Sequence, residues 1–144
     1  MDRGIRLSRI WSDDDVVELK IDVADGTSRF VNKVYVGHRD LADVISQLEA
    51  FKDHVHGGLL DIRFGEFGSE YANGAFHARL HFPKPGRLFI TCSQESEFQE
   101  FGRKTVASCA TMYVCSEPIL LDRFIGELKR VASDAEGEAH LEAV

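Results

Sequence analysis

The sequence predicts an α+β fold, in which an antiparallel sheet of about seven strands carries two amphipathic helices packed on one face. Two observations lead to this prediction. Most of the chain alternates apolar and polar residues with a period of two, which is typical of half-buried strands. Only two segments carry apolar residues at helical intervals of three and four. Their two apolar stripes need a common apolar surface, and one face of the sheet would supply it.

The composition is that of a small globular protein, with 144 residues, 44% hydrophobic and 28% charged. A net charge of −7 argues against nucleic acid as a partner. We interpret this charge as one that keeps a small domain soluble, with attraction of a basic partner as the alternative. The three cysteines are odd in number and lack a CxxC pattern, so we expect reduced thiols and a cytoplasmic protein. No apolar run approaches the roughly 20 residues of a membrane span, and the N-terminus does not resemble a signal peptide.

We expect one domain over residues 1–132, followed by an acidic tail over residues 133–144 that frays. The tail is predicted to fray because it has four acidic residues and no basic one. We find no internal repeat and no linker.

The first three strands are predicted at residues 5–11, 17–23 and 30–36, where apolar residues alternate. The dipeptide Asp25-Gly26 is a strong hairpin signal between the second and third strands. Residues 1–36 are therefore expected to form a three-stranded meander.

The first helix is expected to be capped by Asp40 and to be stopped by Gly57-Gly58. The second is expected to have Pro118 at its first position. The predicted apolar stripes are Leu41, Val44, Ile45, Leu48 and Phe51 in the first helix, and Leu121, Phe124, Ile125, Leu128 and Val131 in the second.

A fourth strand is predicted over residues 59–64, and a hairpin is predicted from residues 76–82 and 87–92. A five-residue loop pairs Leu80 with Ile90 and Ala78 with Cys92, which gives one apolar face and buries Cys92. A four-residue loop would instead place Cys92 beside His77. Because we expect the five-residue loop, we expect no Cys–His nucleophile. Residues 93–102 are expected to be a short helix or a long loop, and residues 105–115 a strand.

The exposed face of this hairpin carries His77, Arg79 and His81. The two histidines would be about 13 Å apart along the strand, which is too far for one zinc ion. We interpret these residues as a solvated polar face, with a contact patch for an anionic group or partner as the alternative. No metal site, cofactor or catalytic residue is predicted, because no catalytic motif is present.

Acidic and aromatic residues concentrate in the two least regular segments. We interpret them as solvated charge or, alternatively, as a binding rim, because aromatic side chains anchor interfaces and carboxylates attract basic partners. The residues of this predicted rim are Glu66, Phe67, Glu70, Tyr71, Glu95, Glu97, Phe98, Glu100 and Phe101.

The order of elements after residue 28 forms a recognisable pattern. Its segments are residues 30–36, 40–41, 48–51, 58–60, 80–82, 86–90, 117–121 and 124–128. This pattern, over about three quarters of the chain, resembles immunity-protein-like families of bacterial polymorphic toxin systems. Such families bind and block a toxin without catalysis, so the resemblance implies a protein partner and no enzyme activity.

Three functional hypotheses follow. The first is a non-enzymatic acidic protein of immunity type that blocks a basic protein. The second is a small-molecule-binding domain or small enzyme with a pocket between the sheet and the helices. The third is a homo-oligomeric structural protein, such as a homodimer through the exposed sheet face or an edge strand.

Overall fold

The computed structural model describes residues 2–71, 73–133 and 137–144, which form ten β-strands and two α-helices. The helices are α1 (His38–Phe51) and α2 (Pro118–Ser133). The strands are β1 (Gly4–Ser12), β2 (Val16–Ala24), β3 (Arg29–Gly37), β4 (Leu59–Gly65), β5 (Asn73–Lys84), β6 (Arg87–Glu97), β7 (Gln99–Phe101), β8 (Lys104–Val106), β9 (Cys109–Ser116) and β10 (Glu138–Glu142). The strand pairs are antiparallel, so the predicted α+β class is confirmed.

The strands are divided between two four-stranded sheets and one two-stranded ribbon. The first sheet has the order β10-β1-β2-β3, the second has the order β4-β5-β6-β9, and β7 pairs with β8. Alternation along a strand tells which side chains share a face, but it does not tell which strands are neighbours. The antiparallel strands were therefore predicted, but the expected single sheet of about seven strands is instead ten strands in two four-stranded sheets and one ribbon.

The two sheets and the two helices enclose one apolar core. Every residue of both predicted helix stripes is buried, so these predictions are confirmed. The inner faces of the sheets add large side chains, among them Leu19, Phe82 and Leu88, each fully buried. Burial of a side chain of this size contributes roughly 1.5–3 kcal/mol. Neither helix in the described part of the chain is long and apolar enough to cross a membrane.

The two sheets are linked by a buried polar pair where β3 crosses β5 and β6. Asn32 Nδ2 donates to the carbonyl oxygens of Ala75 at 3.1 Å and Glu95 at 3.0 Å. Gln94 Nε2 donates to Asn32 Oδ1 at 2.9 Å and to the Phe30 carbonyl at 3.1 Å. Because Asn32 is 5% and Gln94 1% exposed, these bonds satisfy the two side-chain amide nitrogens and Asn32 Oδ1, which water does not reach. Gln94 Oε1 is buried without a hydrogen-bond partner among the described residues.

Gly74 permits this crossing. Its φ is +85°, and a Cβ at this position would overlap the carbonyl oxygen of Lys33 on β3. Glycine adopts this left-handed conformation without steric cost and leaves room for the other backbone.

The two halves of the chain repeat one topology, which corrects the expectation of no internal repeat. Each half has a three-stranded meander followed by a helix, β1-β2-β3-α1 and β5-β6-β9-α2. The strand after each helix joins the edge of the other meander, so β4 pairs with β5 and β10 with β1. Corresponding sequences are confined to residues 34–36 and 112–114 and to the helix stripes, 41–48 and 121–128.

The helix ends differ in part from the prediction. Pro118 opens α2 as expected. However, α1 begins at His38, its N-cap residue Gly37 makes no side-chain cap, and Asp40 lies in the first turn. The backbone N–H of His38 donates to the Asp15 carbonyl at 3.2 Å, so the chain passes directly from β3 into the helix. The helix also ends at Phe51, before the predicted glycine stop.

The prediction of a frayed tail is wrong for residues 138–142, which form β10 against β1. Ala139 and Leu141 are buried and alternate with polar residues. The sequence contains this short alternation, but the prediction gave more weight to the acidic composition of the tail. Residues 134–136 of the tail lie outside the described residues.

The β5–β6 register is the predicted one, with Leu80 opposite Ile90 and Ala78 opposite Cys92. The expected five-residue loop is wrong, because an irregularity after His81 lets Lys84 pair with Arg87. Cys92 is buried, and burial raises the pKa of its thiol to about 12. The prediction for residues 93–102 is wrong, because β6 continues to Glu97 and β7 follows. The strand predicted over residues 105–115 is split into β8 and β9. Cys109, at the start of β9, is exposed.

Candidate binding groove between α1 and β4

A surface groove runs between α1 and β4, which is the edge strand of the second sheet. We call it the α1–β4 groove. It has an acidic section and an apolar section, and Gln47 lines both. Consecutive residues of β4 and its ends, 63–66 and 58–60, line the two sections. Because consecutive strand residues point to opposite faces, the groove follows the edge of β4 rather than one face of the sheet.

The acidic section has a volume of about 510 Å³ and carries four carboxylates against one guanidinium, that of Arg63. Two carboxylates come from the exposed side of α1 and two from β4 and its end. This excess of negative charge on a concave surface attracts cationic groups. The residues lining the acidic section are Tyr35, Val36, Asp40, Asp43, Val44, Gln47, Asp61, Arg63, Phe64, Gly65 and Glu66.

Tyr35 adds an aromatic side chain to this section. Its ring is 43% exposed and lies edge-on to the ring of Trp11, with 6.3 Å between centroids. The negative charge of Glu18 and a hydrogen bond to that carboxylate raise the pKa of the Tyr35 hydroxyl, and the charge of Glu97 adds to the effect. Tyr35 therefore keeps its proton and combines an apolar ring with a hydrogen-bond donor, as interface tyrosines do.

The apolar section has a volume of about 410 Å³ and lies between the C-terminal end of α1 and the start of β4. Leu59 is 53% exposed there. The lining residues are Gln47, Ala50, Phe51, His54, Gly58, Leu59 and Leu60. One groove thus offers charge at one end and apolar surface at the other.

Part of the predicted rim lies beside this groove. Glu66 lines the acidic section, and the loop that follows it contains half-buried Phe67 and exposed Glu70 and Tyr71. The backbone N–H of Gly68 in this loop donates to Glu95 Oε1 at 2.9 Å. Glu95 therefore holds the loop against β6.

The other predicted rim residues are distributed over β6 and the β7–β8 ribbon. Glu97 and half-buried Phe98 line a shallow depression together with Val31 and Lys33 of β3. Glu100 and Phe101 lie on β7, where Phe101 is 74% exposed.

The predicted polar face of β5 is organised by Asp61 of β4, which the sequence analysis did not select. Asp61 Oδ1 is 2.9 Å from both His77 Nε2 and Arg79 Nε, and Arg79 makes a second bond of 3.1 Å to Oδ2. The hydrogen bonds from Arg79 and then from His77 lower the pKa of Asp61 to about 2. His81 lies further along the same face, opposite Leu59 and Phe89. Two of the three predicted residues thus share one carboxylate.

Sequence reasoning missed Tyr35, Gln47 and Asp43 as site residues, and it interpreted Asp40 as a helix cap. The only signal in the sequence was two carboxylates on the polar side of a helix that precedes a short strand. Such a pattern is also typical of an ordinary solvated helix, so the groove emerges only when β4 is placed beside α1.

Comparison with protein-family models, curated proteins and solved structures gives no match for this chain. In the described residues no group of three or more His, Cys, Asp or Glu side chains is arranged to hold a metal ion.

Proposed function

We propose that this chain is a non-enzymatic acidic binding protein of the immunity type, which binds a basic protein partner and blocks it sterically. The observation that carries this proposal is the acidic section of the α1–β4 groove, which is lined by Asp40, Asp43 and Glu66, by Asp61 already bonded to Arg79 and His77, and by one guanidinium, beside exposed Tyr35. Carboxylates steer a cationic surface towards the groove, and an exposed aromatic side chain provides an anchor.

Two further features bear on the non-enzymatic and cytoplasmic parts of this proposal. The buried side chains Asn32 and Gln94 bond to each other and to the backbone of the two sheets, so they are occupied in holding the fold together. The structure also contains three free cysteines, and free thiols suit the cytoplasm, where we propose that the protein acts.

The proposal can be tested by affinity capture from a lysate of the source cells at low and high salt, with mass spectrometry of the retained proteins. We expect one stoichiometric partner of basic composition. Its retention should fall as salt rises, because screening weakens attraction between exposed charges. The double variant D40N/D43N removes two groove charges and should lower the affinity of the isolated partner by about tenfold.

The matched control is D14N/E117Q, which changes the net charge equally at exposed positions outside the groove. It should retain the partner like the wild type. An equal loss of affinity in both double variants would mean that net charge alone causes the loss, and it would contradict a role for the groove. A retained partner that is neutral or acidic, or whose own activity persists in the complex, would contradict the proposed function.

A further inference from the structure

We infer that the α1–β4 groove binds an extended segment of the partner as an added strand on the edge of β4. Cationic side chains of the segment lie in the acidic section and apolar side chains in the apolar section. This inference rests on the proposed function and specifies how the same site recognises its partner.

One edge of β4 is free of a neighbouring strand among the described residues. This strand pairs with β5 on one side, and the order β4-β5-β6-β9 places no strand on its other side. Among the described residues, no backbone hydrogen bond outside the sheet ladders involves residues 59–65. An open edge presents unpaired N–H and C=O groups, which an incoming extended chain can satisfy.

The corresponding edge strand of the other half, β10, is bonded to its helix. Glu127 of α2 accepts a hydrogen bond from the backbone N–H of His140 on β10, at 3.0 Å. Arg9 of β1 bonds to the carbonyls of Val131 and Ala132, at 3.0 and 3.2 Å, and so ties the end of α2 to this sheet. The helix of this half therefore takes up a backbone N–H of its edge strand, at His140.

Gln47 holds in α1 the position that Glu127 holds in α2, since each precedes the last leucine of the corresponding stripe, Leu48 or Leu128. Gln47 is exposed and lines both sections of the groove. No side-chain hydrogen bond joins it to β4 in the described structure. Two edge strands with the same place in the topology thus differ. A helix side chain bonds to the backbone of β10, whereas the edge of β4 stays open.

The length and polarity of the groove define the segment. Seven residues of β4 span about 23 Å at ~3.3 Å per residue, so the edge accommodates about seven residues of extended chain. β4 runs from the apolar section, at Leu59, to the acidic section, at Glu66. Antiparallel pairing is slightly more stable than parallel pairing. An antiparallel segment therefore carries its basic residues first and its apolar residues last.

The test uses fluorophore-labelled heptapeptides and the full-length protein, with binding followed by fluorescence anisotropy. The forward peptide has Lys and Arg in its N-terminal half and Leu and Phe in its C-terminal half, and the reverse peptide has the opposite order. We expect the forward peptide to bind at least about tenfold more tightly than the reverse peptide. L59S and D40N/D43N should each weaken the forward peptide, whereas Y113S, on the outer face of β9, should leave it unchanged.

Backbone pairing is tested with two N-methylated forward peptides, each modified at every second amide but in opposite phase. Only alternate amides of an added strand face its neighbour. One phase should therefore abolish binding and the other should retain it. Equal binding of the forward and reverse peptides, equal effects of the two phases, or no peptide binding would overturn the inference.

Failure of strand addition can be distinguished from failure of the proposed function. If the whole partner is still released by D40N/D43N while peptide order and N-methylation have no effect, the acidic site stands and strand addition fails. If D40N/D43N leaves the partner bound, the proposed function fails on its own evidence.

Discussion

In the half of the molecule that ends with α2, the helix lies against the following edge strand and its Glu127 carboxylate takes up a backbone N–H of β10. In the half that ends with α1, the helix packs less extensively against β4 than α2 does against β10, and it leaves a groove with acidic and apolar sections. The halves share strand order, stripe positions and a tyrosine in the last strand. The halves differ in the contact between the helix and the nearby edge strand, which is a hydrogen bond in one half and a groove in the other.

The tyrosines show the same contrast. Tyr113 on β9 is 69% exposed, whereas Tyr35 on β3 contacts Trp11 and is surrounded by carboxylates. A closed edge protects a sheet from unwanted pairing, whereas an open one is available for recognition. One topology used twice therefore bonds its helix to the edge strand in one half and leaves a groove beside the edge strand in the other.

The largest expected effect concerns the crossing that joins the halves. The substitution Gly74→Ala places a Cβ against the Lys33 carbonyl oxygen and imposes a side chain on a residue with φ of +85°. Left-handed strain and overpacking each cost about 1–3 kcal/mol. We expect the free energy of unfolding to fall by about 3 kcal/mol or more, as measured by urea denaturation.

The matched control is Gly86→Ala in the β5–β6 turn. Its φ is +82°, but no atom lies within 4 Å of the added Cβ. Gly86→Ala should lower the free energy of unfolding by the conformational cost alone, about 1 kcal/mol. If the two variants are equally stable, close approach of β3 is not what requires glycine at position 74.

The buried hydrogen bonds between the sheets give the next largest effect. Asn32→Leu removes the donor to Ala75 and Glu95 and leaves Gln94 without its side-chain partner. Unsatisfied buried groups cost about 1–3 kcal/mol, so we expect a loss of about 3 kcal/mol in urea denaturation.

In the other half, Ser116 Oγ makes a single bond of 2.7 Å to the Glu142 carbonyl, between β9 and β10. Ser116→Ala should cost only about 1 kcal/mol. Equal losses for this variant and Asn32→Leu would mean that the two contacts between the sheets are energetically equivalent, contrary to the asymmetry of the structure.

These contacts also show what the sequence could predict. The helix stripes and the Leu80–Ile90 register follow from local periodicity, which the core then preserves. The crossing depends on Asn32, Gly74 and Gln94, which are far apart in the chain and have no shared pattern. Of the groove residues, only Glu66 was predicted, because acidic clustering in a loop is visible locally whereas its position beside α1 is not.

A smaller effect tests the closed and open edges directly. Glu127→Ala removes the acceptor of the His140 N–H and should lower the free energy of unfolding by about 1 kcal/mol. Gln47→Ala, at the corresponding position of α1, should change it by less than about 0.5 kcal/mol, because exposed residues without a partner contribute little. Thermal denaturation of both variants measures the difference. A larger cost for Gln47→Ala would show that α1 also secures its edge strand.

The smallest effect at neutral pH concerns the outer faces of the two sheets. Each has an arginine that makes two bonds to an aspartate, Arg29 to Asp22 and Arg79 to Asp61, but only Asp61 also bonds a histidine. Asp61→Asn should cost less than about 1 kcal/mol at pH 7, since exposed ion pairs are weak.

The pH dependence of this variant gives the sharper measurement. The pKa of Asp61 is lowered from 3.8 to about 2 in the folded protein, so folding favours the ionised carboxylate. Its contribution to stability is present above the unfolded pKa, near 4, and is lost as the pH falls towards 2. Chemical denaturation between pH 2 and pH 5 should therefore show a shallower acid-induced loss of stability for Asp61→Asn than for the wild type. Parallel curves would mean that Arg79 and His77 do not hold Asp61 in its ionised form, and that the second sheet has no stronger charge cluster than the first.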